Sequence, residues 1–214
     1  MLAELQQRLS DIYQADCGQQ VTDFLITDRD VASGLAATKL DDTVEETVLV
    51  AQDGDDVALS VYLDKELLER VADAQPLQKL RRSNVADFAT VLEGVSHFNY
   101  LGWCADRNRS VTLLELELQA EIDKFVSTSQ LAVDQQSYEL ARRLHRVLFD
   151  DVSFRESLDP AEEQRYRIAS DYAARFCHQL RERIAAGSAF DDLRQFYRLD
   201  QTGKLSFIHS LVWN

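Results

Sequence analysis

The chain has 214 residues, 45% of them hydrophobic and 28% charged, with two prolines and a formal net charge of −14. That length buries roughly 70% of the unfolded surface and the composition is globular, which excludes a disordered chain and a disulfide-stapled miniprotein. Residues 1 to 80 hold 17 acidic and 6 basic side chains, a balance that repels phosphate backbones and anionic bilayers, so neither nucleic acid nor a membrane is an expected partner.

The first segment, MLAELQQRLSDIYQ, carries Leu2, Leu5, Leu9, Ile12 and Tyr13 at helical spacing, and Asp16, Cys17 and Gly18 interrupt it. It lacks a basic lead followed by an apolar run. No stretch of the chain approaches the roughly 18 to 20 apolar residues that span a bilayer, so a cytoplasmic protein is expected. Gln20 to Thr27 is rich in β-branched and aromatic residues and reads as a strand, while residues 31 to 43 fit a short helix or a loop. A hairpin follows: ETVLVAQ from Glu46, a turn at Asp53 and Gly54, and VALSVYL from Val57. Asp64 is a suitable cap for a helix presenting Leu67, Leu68 and Val71, closed at Gln75-Pro76.

Residues 76 to 84 form the best candidate boundary, and beyond it only helices are expected. Val85, Phe88, Val91, Leu92, Val95 and Phe98 line one face of the first, with Glu93, His97, Tyr100 and Cys104 opposite. The second is apolar on two sides, through Val111, Leu114, Leu118, Ile122 and Phe125 on one and Leu113, Leu116 and Ala120 on the other, which places it centrally. A third runs from Asp134 to Phe149. Asp159-Pro160 with Glu162 and Glu163 starts a fourth that Gly187 stops. A short helix around Phe190 to Tyr197, a turn at Asp200 to Gly203 and a last segment with Leu205, Ile208 and Val212 complete the chain. The expected fold is α+β and predominantly helical. A small unit at 1–75, with a three-stranded antiparallel sheet and flanking helices, packs on a bundle of about five to six helices at 76–214, either as two units or as one continuous domain.

The sharpest candidate site is the group Glu93, His97, Glu117 and Glu121, two pairs spaced by four residues on adjoining helices. Carboxylate and imidazole at such spacing suit a divalent metal ion as cofactor, or metal-free acid/base chemistry. The alternative is a structural histidine satisfied by a neighbour. A rival anion site draws on Arg142, Arg146 and Arg198, with Arg143, Arg165, Arg167 and Lys204 near them in the helical half, although helical arginines most often pair with local acids. Cys17, Cys104 and Cys177 are widely spaced and expected to be reduced, and Trp213 suggests a subunit contact. Gly-rich phosphate loops, GxSxG and HExxH are absent. The leading expectation is a noncatalytic binding or regulatory protein acting through a protein partner or self-association. An enzyme built on the Glu/His group and an adaptor for a phosphate or nucleic-acid ligand through the arginines of the helical half are the alternatives.

Overall fold

The structure is a computed structural model that describes residues 1–36, 40–54, 56–150 and 159–211. Its helices are α1 (Leu2–Tyr13), α2 (Arg29–Leu35), α3 (Lys65–Ala74), α4 (Val85–Ala105), α5 (Leu113–Asp134), α6 (Tyr138–His145), α7 (Pro160–Ala185), α8 (Phe190–Tyr197) and α9 (Gln201–Leu211). Its strands are β1 (Leu25–Ile26), β2 (Glu46–Asp53) and β3 (Asp56–Leu63). The fold is therefore α+β and predominantly helical. Trp213 lies outside the described residues. No described helix is long and apolar enough to cross a membrane.

The sheet corrects the antiparallel expectation in part. Its order is β1-β3-β2, with β2 antiparallel to β3 as the hairpin requires and β1 parallel to β3. Parallel neighbours need a long connection, and α2 together with β2 supplies it between β1 and β3. The expected strand at Gln20 to Thr27 is reduced to two residues because Val21–Phe24 winds into a single 3-10 turn. The buried Gln6 side chain causes this: it accepts from Val21 N–H at 2.9 Å and donates to Gln19 O at 2.7 Å, satisfying backbone groups that a strand neighbour would otherwise take.

Local chemistry sets most helix ends. Asp28, Asp64, Thr112 and Asp159 each accept a first-turn N–H, and Asp159 completes a capping box with Glu162 behind Pro160. The third bundle helix starts later than expected, at Tyr138. Gln135 is held by Leu80 N–H at 2.6 Å and by the carbonyls of Pro76 and Leu77 at 3.0 and 2.9 Å, and Gln136 turns to φ 56°. α6 then passes into a π-helical turn at Arg146–Asp150. The expected turn at Asp200 to Gly203 is the start of α9, where Asp200 Oδ1 accepts from Gly203 N–H at 2.8 Å.

α5 packs against α1, α4, α6, α7 and α9, and α4 bridges it to α1, α3, β2 and β3. One hydrophobic cluster runs from Leu2 on α1 through Val61 and Leu63 on β3 to Ile208 on α9, crossing residues 75 and 76 without a break. At Gly94 the sheet comes so close to α4 that a Cβ would stand 3.0 Å from Leu63 Cδ2 and 3.1 Å from Glu46 Cγ and Val61 Cγ1. That contact brings the first residue of β2 against the middle of α4.

Candidate metal centre

Three elements converge at this contact. Glu93 and His97 stand one turn apart on α4, while Glu117, Glu121 and Lys124 follow one another down one side of α5 at helical spacing. Glu46 enters from β2, on the strand face it shares with Val48. Across β3 these two pair with Leu63 and Val61, both fully buried, so an acid at this position is carried into the interior by the strand's period of two.

His97 is the hub and is 4% exposed. Its Nδ1 lies 3.1 Å from Glu46 Oε1. Its Nε2 lies 3.5 Å from Glu117 Oε2, an ion-pair distance too long for a good hydrogen bond, and that atom has no hydrogen-bond partner among the described residues. One ligand atom each from Glu93, His97 and Glu117 falls within 4.8 Å of the others. Lys124 Nζ closes the far side, 2.9 Å from Glu93 Oε2 and 2.7 Å from Glu121 Oε1. Of the four residues singled out in the sequence, Glu93, His97 and Glu117 thus form one group, and Glu121 joins it through Lys124.

The electrostatics follow from four carboxylates sharing one lysine and one histidine out of water. Burial alone would depress His97, but Glu46 and Glu117 hold its pKa well above the ordinary histidine value. Burial raises Glu46 against the pull of His97, and it raises Glu121 against the pull of Lys124. If Nδ1–H donates to Glu46, a neutral ring points the Nε2 lone pair at the carboxylates. That arrangement is repulsive unless a cation, either a proton or a metal ion, sits between them.

No family model, curated protein or solved structure matches this chain. The reading of the site rests on its own chemistry.

The arginine group comes out differently. Arg142 donates to Glu139 at 2.5 Å on α6, and Arg146 is exposed on the π-helical turn. Arg198 donates to the carbonyls of Tyr13 and Gln14 at 3.2 and 3.1 Å, where it closes the C-terminus of α1. Among the described residues these side chains share no partner. A cavity of about 320 Å³ lies by α6, lined by Leu80, Arg81, Arg82, Glu139, Leu140 and Arg143 among others, away from the Glu/His group.

Glu46 and Lys124 escaped sequence reasoning, as did a second polar network on another side of α5. There Asp123 accepts from Tyr13, from Ser96 at 2.6 Å and from Gln119 at 2.7 Å, and burial raises its pKa to about 6. Glu115 accepts from Tyr100, Arg109 and the Gln201 N–H that opens α9. Lys204 is fully buried, donates to Gln119 and lies 4.7 Å and 4.5 Å from the ring centres of Tyr100 and Phe196. The carboxylates of this network all have donors among the described residues.

Proposed function

We propose that this protein is a noncatalytic binder of a divalent metal ion, held by Glu93, His97 and Glu117. The observation that carries the reading is the orphaned Nε2 of His97. Two ligand atoms about 2.1 Å from a tetrahedral ion stand about 3.4 Å apart, which matches the 3.5 Å between His97 Nε2 and Glu117 Oε2 better than a direct hydrogen bond does. The three ligand atoms lie within 4.8 Å of one another, so the wider spacings have to close toward that 3.4 Å, by up to about 1.4 Å, for one tetrahedral ion to be held.

Glu46 supports the same reading. A metal-bound histidine donates its other N–H to a carboxylate, which fixes the tautomer and raises the basicity of the ligating nitrogen, and Nδ1 faces Glu46 in that way. One imidazole among carboxylates suits Mn²⁺, Fe²⁺ or Zn²⁺ better than Ca²⁺ or Mg²⁺, which prefer all-oxygen sites. The noncatalytic assignment follows from burial: His97 and Glu117 are closed off, and the 320 Å³ cavity lies elsewhere.

The test is elemental analysis of untagged protein purified without chelator, followed by titration of metal-stripped protein with Mn²⁺ and Zn²⁺. About one equivalent is expected, with binding at least tenfold weaker in Glu93→Gln, a change on the partly exposed edge of the site. A stripped protein that takes up no ion would make the cluster a proton-holding ion-pair network instead.

A further inference from the structure

We infer that Lys124 is the site's built-in second cation: it occupies the position that a second metal ion would take, so that a cluster with four carboxylates accepts one ion rather than two. This inference rests on the metal reading of Glu93, His97 and Glu117 and deepens it.

The geometry divides the cluster into two cation positions that share Glu93. In the first, the His97, Glu117 and Glu93 ligand atoms lie within 4.8 Å of one another. The second is filled by the Lys124 ammonium, with Glu93 Oε2 at 2.9 Å and Glu121 Oε1 at 2.7 Å. Glu93 therefore stands as a bridging carboxylate does in a two-metal helical site, with a metal position on one side and an ammonium on the other. The side chains of this second position are only 12 to 20% exposed, so its charge is poorly screened.

Charge balance points the same way. Glu46, Glu93, Glu117 and Glu121 bring four negative charges together out of water, and buried carboxylates need compensation. Lys124 and one divalent ion supply three positive charges. Two divalent ions would supply four, so removal of the ammonium leaves Glu93 and Glu121 ready for the second. Lys124 is fixed to the backbone of α5 and cannot diffuse away, so it holds this position at any metal concentration.

Mn²⁺ binding to metal-stripped protein, followed by equilibrium dialysis and electron paramagnetic resonance, tests this directly. Wild type is expected to take one Mn²⁺ with the spectrum of an isolated ion. Lys124→Gln is expected to take two, with a spectrum altered by coupling between neighbouring ions, and Lys124→Arg is expected to take one. The double variant Lys124→Gln/Glu121→Gln should return to one. One equivalent in both wild type and Lys124→Gln overturns the role of Lys124 while leaving the metal site intact. No uptake by either protein overturns both readings. No uptake by wild type, with one ion in Lys124→Gln that Glu121→Gln abolishes, removes the native metal and retains Lys124 as the resident cation. Should Lys124→Gln purify folded but destabilised, Mn²⁺ is expected to raise its Tm by more than it raises that of wild type, and an equal rise overturns the inference.

Discussion

Glu46 shows how much one residue far from the helices decides. Its carboxylate faces His97 Nδ1 at 3.1 Å and is not itself one of the proposed ion's three ligands. Substitution by Gln keeps the volume and lets an amide oxygen accept from Nδ1, but removes the charge that makes Nε2 basic. Loss of such an outer partner costs about 10 to 100-fold in metal affinity, so Glu46→Gln is expected to weaken Mn²⁺ binding by that factor in calorimetric titration while leaving the Tm of the stripped protein within a few degrees. Lys204 sets a separate residue-scale behaviour. Burial drives its pKa down to about 7, outweighing the attraction of Glu115 and Asp123. Between pH 7 and its ordinary value near 10.5, the unfolded chain therefore binds one more proton than the folded one, and stability must rise with pH through that window. Over pH 7 to 9.5 the Lys204 contribution reaches at most about 3 kcal/mol, and Lys204→Met should remove it, seen as a flattened plot of urea midpoint against pH. A slope unchanged by the substitution would show that the ammonium is retained inside the fold.

At the scale of elements, the contact between α4 and the sheet positions Glu46, and Gly94 makes that contact possible. Alanine there gains about 1 kcal/mol of helix propensity. It also places a methyl 3.0 to 3.1 Å from Leu63, Glu46 and Val61, and such overpacking costs about 1 to 3 kcal/mol. Gly94→Ala is thus expected to lower stability by about 1 kcal/mol, a Tm drop of a few degrees, and to weaken metal binding as Glu46 is pushed off His97. The same contact marks where the sequence stops being informative. The inward face of α4, the hairpin, the Asp159 cap and the Glu93/His97 spacing follow from local pattern and turn chemistry, whereas the second apolar line read on α5 holds only in part, since Leu113 is 59% exposed. The parallel pairing of β1 is not local, because it joins Leu25 and Ile26 to Val61 and Tyr62 across α2 and β2. The shortness of β1 is not local either, because Gln6 takes the Val21 N–H through a side chain that no local pattern announces. Glu46 had a faint signal in sharing its strand face with Val48, and Lys124 a clearer one in following Glu117 and Glu121 at helical spacing. The arginines misled because charge clustering in sequence says nothing about which nearby carboxylate or carbonyl each one meets.

For the whole molecule, the proposed ion sits where the segments before and after residue 75 meet. Glu46 belongs to the first, and α4 and α5 to the second, while the hydrophobic cluster is already continuous across them. Occupancy therefore acts on the cooperative unit and not on one loop. A ligand that binds only the folded chain stabilises it by about 2.7 kcal/mol at a hundredfold excess over its Kd, which for a chain of this length is a Tm rise of about 5 to 10 °C. The sign of its pH dependence follows from His97. Its raised pKa gives the metal-free fold a stabilisation that is present below the ordinary histidine value and fades as pH rises through the folded one. The ion needs Nε2 without its proton, so its affinity climbs over the same range. Calorimetry of stripped protein with and without Mn²⁺ should accordingly give a metal-induced Tm shift that is small at pH 5.5 and grows toward pH 8. In both states residues 1–75 and the helices are expected to melt in one transition. Two separated transitions, with only the second moved by Mn²⁺, would show that the sheet does not share the site.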